Sequence, residues 1–139
     1  MIATVTNIMD RMSEPVLDRY TRQAIRGELN RWGRWIERHA DYEGFSPVNY
    51  LIAAREGRGG GMAGHRILCL DMPVHIYAVH GRVLRLPEDQ RFAVQVEFIV
   101  KVKEDGTVWR TSEKCERVGM KPWELRELVE KAMRRMAGL

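Results

Sequence analysis

Immediately after Pro122, the apolar residues Leu125, Leu128, Val129, Ala132, Met133 and Met136 recur at three- and four-residue steps. That spacing defines one face of an amphipathic helix and commits this end of the chain to helix packing. Lys121, Trp123, Glu124, Arg126, Glu127, Lys131, Arg134 and Arg135 lie largely off the stripe, so the outer face is polar and mostly basic. A shorter helix is expected before it, through Thr111 to Val118. Val118-Gly119-Met120 supplies the corner between the two, because glycine tolerates the positive φ that ends one helix and lets the next leave steeply. Pro122 suits the first turn of the second helix, where its missing N–H costs nothing. The pattern predicts a helix-turn-helix.

In such a unit the first turns of the second helix enter the major groove, while flanking groups hold phosphates. By that rule Lys121, Trp123, Glu124, Arg126 and Glu127 are the groove-facing candidates. Arg126 suits guanine O6 and N7, and Glu124 or Glu127 suits cytosine N4. Lys114, Lys131, Arg134 and Arg135 suit phosphates. Trp123 has no obvious base partner and could instead pack on the preceding loop. A glycine corner with no role beyond packing would give the same pattern, so a purely structural helix pair stands beside DNA binding.

The rest of the chain also reads as helix. Ser13-Glu14-Pro15 resembles a helix start, and Leu17, Tyr20, Ala24, Ile25, Leu29, Trp32 and Ile36 follow at helical spacing, predicting a helix from about Pro15 to His39. Gly27 and Gly33 weaken it by about 1 kcal/mol each relative to alanine, and glycine so placed often admits a neighbouring backbone. Trp32 and Trp35 are expected to pack in the core. Arg19, Arg22, Arg26, Arg31, Arg34 and Arg38 surround this helix, either as a solvated face or as contacts to acidic protein or nucleic acid. Ser46 can cap a short helix opened by Pro47. Five glycines with Arg55, Arg58, His65 and Arg66 between residues 55 and 66 predict a mobile loop with basic character. Asp71 and Pro73 open a further helix whose buried face is expected to carry Val74, Tyr77, Ala78 and Leu84. Leu86-Pro87 opens the next, rich in apolar residues to Val100. Lys103 to Thr107 reads as a turn, in a loop or a short hairpin.

The fold class expected is therefore all-α: a long N-terminal helix with a glycine-rich loop over residues 1–66, and a helical unit with a helix-turn-helix over 67–139. The net charge of +4 is a modest surplus, enough for a local phosphate-binding patch but not for a wholly basic surface. Cys69 and Cys115 form no CxxC pair and are expected to be reduced filler. No run of residues has the composition of a signal peptide or a membrane span, so a cytoplasmic protein of a bacterial cell is expected. His39, His65, His75 and His80 lack the spacing of a zinc site; His75 and His80, five apart, point about 140° from each other on a helix. No GxSxG, HExxH or paired-carboxylate motif occurs, and neither an enzyme nor a cofactor is expected.

Two short patterns carry a family resemblance. Leu86-Pro87-Glu88 followed by Gln90-Arg91 and an apolar run resembles the opening of region 4 of bacterial sigma factors. Leu29 followed by Trp32-Gly33-Arg34-Trp35, then Ser46-Pro47, then the region 4-like end, is similar to the antitermination protein Q family of lambdoid phages. Some members carry a zinc-binding cysteine cluster, which this sequence lacks. The resemblance implies a protein that binds DNA near a late promoter, joins bacterial RNA polymerase during the promoter-proximal pause, with its sigma factor as a further candidate partner, and suppresses pausing and termination. Arg31, Arg34, Arg55, Arg58 and Arg66 are then candidates for contact with polymerase or RNA. A promoter-binding activator or repressor and a polymerase-binding inhibitor remain as alternatives.

Overall fold

Gln90, Phe92, Ala93, Val94, Gln95, Val96 and Phe98 are all buried along one helix, α4 (Glu88–Phe98), which is covered on most sides by other helices. The computed structural model describes residues 17–40, 42, 44–56 and 72–139. Among them are six α-helices and no β-strand. Around α4 stand α1 (Arg19–His39), α2 (Pro47–Arg55), α3 (Val74–Leu84) and α6 (Pro122–Met136), with α5 (Thr111–Val118) against α2 and α6. The most extensive packing is α4 against α6. Leu17, Trp32, Val48, Val83, Val94, Cys115 and Leu125 all enter one hydrophobic core, so residues from both sides of the glycine-rich segment share it. No described helix is long and apolar enough to cross a membrane.

Local chemistry sets the helix ends. Asp18 caps α1, its carboxylate accepting from the Thr21 N–H and hydroxyl, both at 2.8 Å. Ser46 caps α2 as expected, its Oγ accepting from the Asn49 N–H at 3.4 Å. Gly33 is the place where a second helix comes close: a Cβ there would lie 2.0 Å from the Phe98 carbonyl oxygen. At Gly27 an added Cβ would meet only Arg31 Nη1, at 3.6 Å, so no backbone approach explains it. Trp32 is fully buried, whereas Trp35 is half-buried and stacks on His39 with ring centroids 4.3 Å apart.

The buried face of α3 differs from the expected one. Val74 is 86% exposed, and Tyr77, Ala78 and Leu84 also face outward, while Ile76, Val79, His80 and Val83 are buried. The helix is apolar on two sides, and the inner side is the one on which Ile76, Val79 and Val83 join the core and His80 finds a polar partner. Its Nδ1 accepts from Trp32 Nε1 at 3.1 Å in the α1–α3 seam. Between α4 and α5, Val102 and Val108 form a single antiparallel bridge across the Lys103–Thr107 turn. Asp105 shapes that turn by accepting from the Thr107 N–H and hydroxyl. The glycine-rich stretch after Glu56, including Arg58, His65, Arg66, Cys69 and Asp71, lies outside the described residues.

Candidate nucleic-acid interface

The C-terminal corner is built by backbone geometry. Gly119 has φ 74° and ψ 33°, the left-handed conformation that glycine accepts without strain. Met120 N–H donates to Cys115 O at 2.9 Å and Gly119 N–H to Glu116 O at 3.3 Å. These two bonds form a Schellman motif, which satisfies the last carbonyls of α5. Met120 is buried beyond the corner, and Pro122 takes the first turn of α6. Cys115 and Val118 of α5 and Leu125, Val129, Ala132, Met133 and Met136 of α6 are buried, with Leu128 packed against them.

On the outer face Lys121, Arg126, Lys131 and Arg135 are exposed. Lys131 pairs with Glu127 at 3.4 Å along the helix, a contact of small energy in water. Glu124 and Arg134 are half-buried, and Arg134 Nε has no hydrogen-bond partner among the described residues. Trp123 is 55% exposed and does not fold back into the core.

Lys114 is a correction. Expected to hold phosphate, it is instead 4% exposed and points into the bundle. Its Nζ donates to the carbonyls of Val96 at 3.2 Å, Glu97 at 3.3 Å and Val100 at 3.3 Å. These are orphan carbonyls at the C-terminal end of α4, where the helix dipole also favours a cation. Burial holds the Lys114 ammonium below the usual lysine range, with nearby Glu97 opposing that effect. A charged residue on the inner face of α5 is thus a cap for another helix. The clue in the sequence was its position: Lys114 precedes Cys115 and Val118 on the inward side of the Gly119 corner.

Sequence reasoning missed a groove of about 680 Å³ between α2, α4 and α6. Leu51, Phe92 and Leu128 supply apolar lining, Trp123 stands in it, and Glu88 and Glu124 add carboxylates. Glu127 and Lys131 also line it, so α6 presents two surfaces: a mixed, partly acidic flank on the groove, and Lys121, Arg126 and Arg135, which do not line it. Glu124 and Glu127 would repel phosphate but retain the ability to accept from a base amino group. Arg55 lies in this groove with its guanidinium 4.5 Å over the Phe92 ring. Arg31 and Arg34 are exposed on α1, which contributes nothing to the groove. The five arginines named as polymerase or RNA candidates are therefore not one cluster; Arg58 and Arg66 lie outside the described residues.

No group of three or more His, Cys, Asp or Glu residues placed to hold a metal ion occurs among the described residues. No protein-family model, curated protein or solved structure matches the chain.

Proposed function

We propose that the protein is a duplex-DNA-binding transcription factor that reads the major groove with the first turns of α6. One observation carries the reading: α5 and α6 meet at the left-handed Gly119 with only Gly119 to Lys121 between them, and the corner leaves Lys121, Arg126 and Arg135 exposed. A short connection with glycine at its start is the form of a helix-turn-helix. Arg126 serves as the principal base reader, Lys121 and Arg135 as phosphate contacts, and Lys131 as a further phosphate contact once released from Glu127.

Within that class we propose the role implied by the Leu29–Met136 resemblance. The protein binds DNA beside a phage late promoter, loads onto bacterial RNA polymerase during the promoter-proximal pause, and travels with it past pauses and terminators. The groove favours a second reading, in which Trp123 and its surroundings grip polymerase and the protein acts as an inhibitor. An in vitro transcription assay with purified bacterial polymerase and a template carrying promoter, pause site and terminator separates them. Terminator readthrough that rises on adding the protein supports the antiterminator. Altered initiation without readthrough makes it an activator or repressor. Reduced transcription without DNA binding makes it an inhibitor.

A further inference from the structure

The arginines of α1 divide into two sets. Arg22 and Arg26 are held against the bundle: Arg22 Nη2 donates to Glu130 at 2.5 Å, and Arg26 lies 3.4 Å from Glu97 and 5.2 Å from the Phe98 ring centre. Arg31, Arg34 and Arg38 are exposed, with no ion pair or side-chain hydrogen bond to any described residue. Their spacing of three and four places them on one outward line. Tyr20, 83% exposed, lies on the same line toward the start of the helix. The carboxylates of α1 are elsewhere: Glu28 faces Arg82 of α3 at 3.3 Å, and Glu37 lines the cleft beside Tyr42 and Val48.

From Arg31 to Arg38 the line rises about 10 Å, and from Tyr20 to Arg38 about 27 Å. It combines the two elements that bind an unpaired strand, a row of cations for the backbone and aromatic faces for the bases. Gly27 keeps the middle of the line low, since only Arg31 Nη1 lies near its missing Cβ. The Trp35–His39 stack borders the row and offers a second, partly exposed aromatic face.

We propose that this face of α1 binds a single nucleic-acid strand, with Arg31, Arg34 and Arg38 on its phosphates and Tyr20 beneath a base. The exposed ring favours a single strand over a duplex, whose bases are already stacked on one another. The arrangement is independent of the α6 reading and uses none of its residues.

Anisotropy of labelled oligouridylate and oligothymidylate, each roughly twelve nucleotides to match a small binding module, tests it on the full chain. Binding should weaken with salt at a slope of about −2, from three phosphates at about 0.7 each. The triple variant Arg31→Glu/Arg34→Glu/Arg38→Glu should lose at least about thirtyfold in affinity and most of that slope. Arg→Gln changes at the same positions should give a smaller loss in the same direction. Tyr20→Ala should lose about tenfold while Tyr20→Phe keeps wild-type affinity, because stacking needs only the ring. Preference for the ribose strand would assign the face to RNA, and equal binding to either strand. Duplex binding through α6 should survive the Gln variant with its sequence preference intact, so the two proposals fail separately. Absence of binding to both strands, or wild-type affinity and slope in the Glu variant, overturns the proposal. A peptide of acidic residues binding in place of either strand would overturn it too.

Discussion

Lys114→Met removes an ammonium and keeps a side chain of similar length. Three carbonyls, of Val96, Glu97 and Val100, lose their common donor in a site that water does not reach freely. Hydrogen bonds from a charged donor are worth about 1.5–3 kcal/mol, and a buried acceptor left unpaired costs about 1–3 kcal/mol. The sum is not additive, and it is offset by the several kcal/mol no longer spent on desolvating a cation. A net destabilisation of about 2–4 kcal/mol follows. For a domain of this size that lowers the melting temperature by roughly 6–15 °C. Urea unfolding followed by far-ultraviolet circular dichroism measures it, with Lys131→Met as the exposed control, expected within about 0.5 kcal/mol of wild type. If Lys114→Met kept wild-type stability and instead lost affinity for duplex DNA, Lys114 would be a phosphate contact and the helix-capping account would be wrong.

Gly33→Ala should destabilise by about 3 kcal/mol, since its methyl group would collide with the Phe98 backbone rather than with a movable side chain; a melting temperature near wild type would show that α1 and α4 can separate freely. Gly119→Ala should cost about 1–2 kcal/mol by forcing a side chain into the left-handed region, read from the same denaturation curves. His80 is held below the usual histidine range by burial, and its Nδ1 must stay unprotonated to accept from Trp32. The unfolded chain therefore takes up the proton first, and stability should be full above the ordinary histidine pKa of about 6.5 and fall as pH drops below it. His80→Gln should flatten that fall, and an unchanged pH profile would clear His80 of the role. Arg126→Ala should relax preference at one base position at a cost of about 1–3 kcal/mol, whereas Lys131→Ala should weaken all sequences alike, both read by competition binding against single-base variants of the preferred site.

The features legible in the sequence were those where a local rule had no competitor. Ser46-Pro47 starts α2, Gly119 turns the corner, and Leu125 to Met136 bury the expected face of α6, because each signal is carried within a few residues. The all-helical class followed from the same periodicities. Where two faces were plausible, a distant partner decided. Val74 and Tyr77 read as core as readily as Ile76 and Val79, and the face is settled only by packing across the chain, where Ile76, Val79 and Val83 enter the core and His80 meets Trp32, 48 residues away. Lys114 read as surface because lysine usually is; its three acceptors come from the end of a helix 14 to 18 residues upstream. The groove beside Trp123 was out of reach for the same reason, since it forms only when α2, α4 and α6 are brought together.

Binding of duplex DNA by the outer face of α6 is the proposal on which the function rests. Salt-titrated anisotropy of a labelled duplex, comparing wild type with Lys121→Ala/Arg126→Ala/Arg135→Ala, tests it most directly. Each phosphate contact contributes about −0.9 to the slope of log K against log salt, so removing Lys121 and Arg135 should take about 1.8 from it, and removing Arg126 should abolish sequence preference. Affinity, slope and preference all equal to wild type in that variant would contradict the claim and leave α6 facing something other than DNA.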